Sequence, residues 1–175
     1  MQEQRSRWEG VHLEKVILLV EDNPDDEMLA LRAFTKSNIA NRVVVAHDGV
    51  EALDYIFATG PHEGRDISGQ EELILLDLHL PRVDGFEVLR RLKADARTKS
   101  HSVVIMTSSR EGPDIIKSYE LGASNFIRKP VEFAQLIEAV RQLGLYWQLL
   151  DVDPHTVERP PSVFEPDPTG GGIAS

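Results

Sequence analysis

Cysteine is absent from the 175-residue chain. That removes disulfide staples, thiolate metal sites and cysteine nucleophiles, and it fits a reducing compartment. Long apolar runs are missing too. No stretch approaches the roughly 18 residues of a membrane-spanning helix, and the opening MQEQRSRWEG lacks the apolar centre of a secretory signal. The expectation is a cytoplasmic protein without membrane contact. Positive charge is scarce, with 19 Lys and Arg against 29 Asp and Glu and a net charge of −10. Nucleic-acid binding relies on cations that neutralise phosphates, so no direct nucleic-acid partner is expected. No internal repeat is apparent. There is no GxGxxG after the first strand and no GxxxxGK[ST] anywhere, which weakens a nucleotide-binding reading.

What is present is a regular alternation. Short β-branched or leucine-rich runs occur at 15–20 (KVILLV), 42–46 (RVVVA), 73–77 (LILLD), 102–107 (SVVIMT) and 125–129 (NFIRK). Between them lie helical patterns near 25–37, 49–59, 85–95, 111–121 and 131–150. Such βα alternation predicts a parallel sheet with helices on both faces, in the α/β class. The first, third and fourth runs are continuously apolar, as central strands buried on both sides would be. Asp48 and Asp84, each followed by glycine, fit helix N-caps.

The chain divides into an N-terminal extension at 1–13, a domain at 14–150 with an extended last helix, and a tail at 151–175. Five of the ten prolines and five acids against one arginine fall in that tail, which reads as acidic and disordered. The segment 60–72, GPHEGRDISGQEE, is longer than most such connections. A mobile link and a contact surface both remain open for it.

In an open parallel sheet, functional groups gather beyond the carboxyl ends of the strands, where strand order reverses. The first strand ends in Glu21 and Asp22, the third in Asp77, the fourth in Thr107 and the fifth in Lys129 before Pro130. Crowded carboxylates repel unless something positive shares the site, and Mg²⁺, a hard cation with oxygen ligands, is the economical answer. A carboxylate can act as the nucleophile that forms an aspartyl-phosphate, which provides a role for Asp77. Mg²⁺ and the Lys129 ammonium would neutralise charge on the transferring oxygens, and the Thr107 hydroxyl could bond one of them.

These motifs, VEDN, LLDLHLPRVDG, MTS and FIRKP, resemble the receiver domain of two-component response regulators over about residues 14–148. The resemblance implies a flavodoxin-like, doubly wound sheet of order 2-1-3-4-5. It implies Asp77 as phosphoacceptor, with Mg²⁺ held by Asp22, Asp77 and the backbone carbonyl of His79, and with Glu21 acting through water. Thr107 and Phe126 become the switch pair. His79 and Ser109 occupy positions that influence phosphoryl lifetime in the family. A sensor histidine kinase is the implied partner. The loop at 60–72 and the late YWQLL most resemble stand-alone regulators that partner phytochromes, so a bacteriophytochrome is the closer expectation. With only 25 residues after the last helix, output is expected through protein binding or phosphorelay.

Each candidate residue also has a plainer reading. Thr107 could merely favour a strand, and Phe126 could be core. Asp25 and Asp26 read as acids stabilising a helix N-terminus. His12, His47, His62, His101 and His155 lack metal-ligand spacing and are expected at the surface. A Mg²⁺-dependent small-molecule phosphatase or phosphotransferase using the same aspartyl-phosphate is the alternative class. Enzymes of the haloacid dehalogenase family usually carry a second acid two residues after the nucleophile, and His79 stands there. In the last helix, Phe133, Leu136, Ile137, Val140, Leu143 and Trp147 form one apolar stripe, while Leu145, Tyr146, Leu149 and Leu150 add a second face. The surplus predicts a homodimer through Phe133, Leu145, Tyr146, Trp147, Leu149 and Leu150.

Overall fold

Strand and helix signals of the sequence reappear in a computed structural model, which describes residues 15–36, 39–67, 72–108 and 112–142. The strands are β1 (Ile17–Val20), β2 (Val43–Ala46), β3 (Leu73–Asp77), β4 (Ser102–Thr107) and β5 (Asn125–Arg128). The helices are α1 (Pro24–Lys36), α2 (Gly49–Phe57), α3 (Gly85–Ala94), α4 (Gly112–Glu120) and α5 (Phe133–Gln142). All strand pairs are parallel, in the order β2-β1-β3-β4-β5. This is the flavodoxin-like arrangement expected.

Successive side chains of a strand point to opposite faces, so each central strand feeds two cores. Leu18, Val20, Ile74, Leu76, Val103 and Ile105 pack with residues of α2 and α3. Ile17, Leu19, Leu73, Leu75, Val104 and Met106 pack with Ala30 and Phe34 of α1 and Leu136 and Ala139 of α5. Burial on both faces is why these strands show no polar alternation.

Helix starts follow capping chemistry. Asp48 accepts the Glu51 N–H at 2.8 Å and Asp84 accepts the Glu87 N–H at 3.0 Å. Asn23 accepts the N–H groups of Asp25 and Asp26 at 2.9 and 3.2 Å, with Pro24 opening α1. Close packing reserves two positions for glycine. A Cβ on Gly85 would stand 2.2 Å from the Asp77 carbonyl oxygen, and one on Gly49 would stand 1.9 Å from that of Val83.

At the amino edge of the sheet the structure corrects the expectation for one histidine. His101 is buried, 3% exposed, with its Nδ1 satisfied by the Glu72 N–H at 3.0 Å. Burial, with the charges of Lys93 and Arg65 nearby, pushes its pKa down to about 4. Glu72 is itself buried and pairs with Arg65 at 3.2 Å, while the guanidinium lies 3.9 Å over the Tyr55 ring. Within 60–72, the segment opens with a 3-10 turn at Gly60–His62, Arg65 is tied to the core, and residues 68–71 lie outside the described residues. His47 is exposed as expected and His62 is half-buried, while His12 and His155 lie outside the described residues.

Candidate functional site

From β1 the chain steps outward to β2 and then back across to β3. Strand order therefore reverses between β1 and β3, and the crevice opens at their carboxyl ends. There Glu21, Asp22 and Asp77 each offer a carboxylate oxygen, and these atoms lie within 4.8 Å of one another. Glu21 and Asp77 are buried and Asp22 is exposed at the rim.

Lys129 reaches this cluster from the end of β5. Its Nζ donates to Asp77 Oδ2 at 2.8 Å and to Asp26 Oδ2 at 3.0 Å, and it also pairs with Glu21 Oε2. The other Asp77 oxygen, Oδ1, accepts the His79 N–H at 3.0 Å, and Glu21 Oε1 accepts the Asn23 N–H at 3.1 Å. The peptide between Lys129 and Pro130 is cis.

Electrostatics explain how so many acids coexist. Burial pushes the Glu21 carboxyl up to about 7, against the Lys129 hydrogen bond and the Asn23 N–H, which favour its charged form. Burial also works against a charged Lys129, but hydrogen bonds to Asp77 and Glu21 outweigh it and hold the ammonium above the usual lysine range. The donor set is all oxygen and anionic, which fits a hard divalent cation such as Mg²⁺.

Thr107 closes β4 and is fully buried, and its carbonyl accepts the Lys129 N–H at 3.0 Å. Phe126 pairs in register with Ile105 and is half-buried against the α2–α3 core. His79 is exposed, two residues after Asp77. Ser109, Leu145, Tyr146, Trp147, Leu149 and Leu150 lie outside the described residues, and Phe133 opens α5.

One site residue departs from its sequence reading. Asp26 does lie in the first turn of α1, but it also faces the site and holds Lys129. A signal existed: Asp26 lies four residues before Ala30, on the stripe that continues through buried Ala33 and Phe34. A tie nothing in the sequence marked joins Arg82, whose backbone is left-handed at φ 68°, to the cap residue Asp48 at 3.2 Å.

Comparison with known proteins agrees with this geometry. The response regulator receiver domain model matches residues 17–141. The probable methanogenesis regulatory protein FilR2 of Methanothrix harundinacea (strain 6Ac) is 38% identical over 132 residues, 75% of this chain and 83% of the relative. The solved bacteriophytochrome response regulator AtBRR is 50% identical with a TM-score of 0.70, covering 79% of this chain and 98% of that one. A Mn²⁺-bound form of response regulator Rcp1 is 34% identical with a TM-score of 0.62, covering 76% and 94%. The fold, the convergent acids and these likenesses lead to one conclusion: the chain belongs to the response regulator receiver domain family.

Proposed function

We propose that the protein accepts a phosphoryl group on Asp77 from a sensor histidine kinase, in a Mg²⁺-dependent reaction, and signals through altered protein binding or phosphorelay. The observation that carries this reading is the Asp77 carboxylate held at 2.8 Å from the Lys129 ammonium, beside Glu21 and Asp22. Its likeness to AtBRR makes a phytochrome-type kinase the partner of choice.

Asp22 and Asp77, with the carbonyl of His79, would hold the cation, and Glu21 would reach it through water. Bound there, Mg²⁺ supplies charge neutralisation to the phosphoryl oxygens. Asp77 attacks phosphorus as the bond to the donor nitrogen breaks, and Lys129 steadies the oxygens that carry the charge. Thr107 then closes on the phosphoryl group while the half-buried Phe126 ring turns inward, altering the surface around α4, β5 and α5. The competing phosphatase reading needs an acid where exposed His79 stands.

Asp77→Asn should abolish labelling by acetyl phosphate or a cognate kinase with Mg²⁺ present, with circular dichroism unchanged. Labelling at the wild-type level would place the acceptor elsewhere. We also propose that residues 14–150 form the receiver unit, flanked by an extension at 1–13 and an acidic tail at 151–175, both outside the described residues. The late apolar residues Leu145, Tyr146, Trp147, Leu149 and Leu150, with Phe133, then join two copies in a homodimer. Sedimentation should show that dimer; a monomer at high concentration in both phosphorylation states would refute it.

A further inference from the structure

We infer that Asp26 is a positioning residue for phosphoryl transfer: through Lys129 it sets where the ammonium stands against the acceptor Asp77. The inference rests on the acceptor reading above and goes beyond it to a residue on α1. An ammonium has three N–H donors. Those of Lys129 meet three carboxylates, Asp77 at 2.8 Å, Asp26 at 3.0 Å and Glu21, while its side chain is only 9% exposed.

The three ties are not equivalent. Glu21 and Asp77 belong to the group of oxygens that converge within 4.8 Å, which a bound cation would draw on and where an incoming phosphoryl group would bond to Asp77. Asp26 is outside that group, so neither event displaces its hold on Lys129. A lysine side chain is a long flexible stem, and an ammonium fixed at one end of the crevice keeps its orientation while its other partners change.

Local structure makes that hold rigid. Asn23 caps α1 and bonds the N–H of Asp26 itself at 3.2 Å. Ala30, Ala33 and Phe34, buried on the same stripe, fix the rotation of the helix. Neighbouring Asp25 is exposed, one helical step away from the site. Helix-dipole stabilisation would be shared by both acids, whereas only Asp26 touches Lys129.

The full chain carrying Asp26→Asn, Asp26→Glu or Asp25→Asn is labelled with acetyl phosphate of varied concentration at saturating Mg²⁺. For Asp26→Asn the maximal rate should fall roughly tenfold, with the half-saturating acetyl phosphate concentration unchanged. Asp26→Glu should recover most of the rate, and Asp25→Asn should match the wild type. A wild-type maximal rate in Asp26→Asn would overturn the inference. So would a deficit that glutamate leaves unrepaired. A wild-type chain that takes no label would overturn the acceptor reading and this inference together, whereas indifferent variants of a labelled protein overturn the inference alone.

Discussion

Acid should weaken this fold through His101. The imidazole is buried at the amino edge of the sheet, accepting the Glu72 N–H at 3.0 Å, and burial, together with the Lys93 and Arg65 charges, lowers its pKa from 6.5 to about 4. Between those two values the unfolded chain carries a proton on this ring that the folded chain does not. Stability contributed by the neutral ring is therefore full above about pH 6.5 and lost as pH falls toward 4. The shift implies a loss of about 2 kcal/mol at pH 5 and about 3 kcal/mol at pH 4. Glu21 and Glu72, whose carboxyls burial raises, act in the opposite sense: their folded forms take up a proton more readily, so they favour the fold as pH falls. The wild-type curve sums these with the lowered carboxyls of Asp48, Glu87 and Asp95, whose contribution is lost as pH falls through the carboxylate range. His101→Asn isolates the ring, because the asparagine oxygen can take the acceptor place of Nδ1 without titrating. Urea unfolding at pH 7.5 and pH 5 should show the wild type losing about 2 kcal/mol more than the variant. Parallel losses in the two proteins would refute the assignment.

Gly85→Ala should destabilise by about 2 kcal/mol and slow Asp77 labelling, because its Cβ would stand 2.2 Å from the Asp77 carbonyl oxygen and force the loop to move. Gly112→Ala meets nothing within 4 Å among the described residues and should stay within about 0.5 kcal/mol of wild type in the same urea assay. Mg²⁺ at 100 times its dissociation constant should stabilise the fold by about 2.7 kcal/mol, read as a rise in thermal midpoint. Asp22→Asn should remove most of that rise, and an undiminished shift would move the cation away from Asp22.

Much of the architecture was legible because each signal was local. Apolar runs such as LILLD and ILLV mark strands buried on two faces, and Asp-Gly pairs mark the caps where α2 and α3 begin. The convergence of charges was legible for a related reason: an ionisable residue at the exit of a buried strand faces the crevice, so Glu21, Asp22, Asp77 and Lys129 could be read together. Asp26 was harder, since a helix-start acid has a sufficient local explanation that masks its second role. His101 was misread because a lone histidine carries no mark of burial; its partner, the Glu72 N–H, is 29 residues away in the chain.

The sequence by itself determined the alternation of strands and helices, the two-faced burial of the central strands and the residue types present at each strand exit. These follow from side-chain hydrophobicity and backbone preference over a few neighbouring residues. Tertiary structure alone decided which oxygens share the Lys129 ammonium, how burial shifts Glu21 and His101 in opposite directions, and that Arg82 ties to Asp48. Asp26 and Lys129 are 103 residues apart. Charge interactions depend on distance and local dielectric, and both are set only when the sheet brings distant segments to one rim.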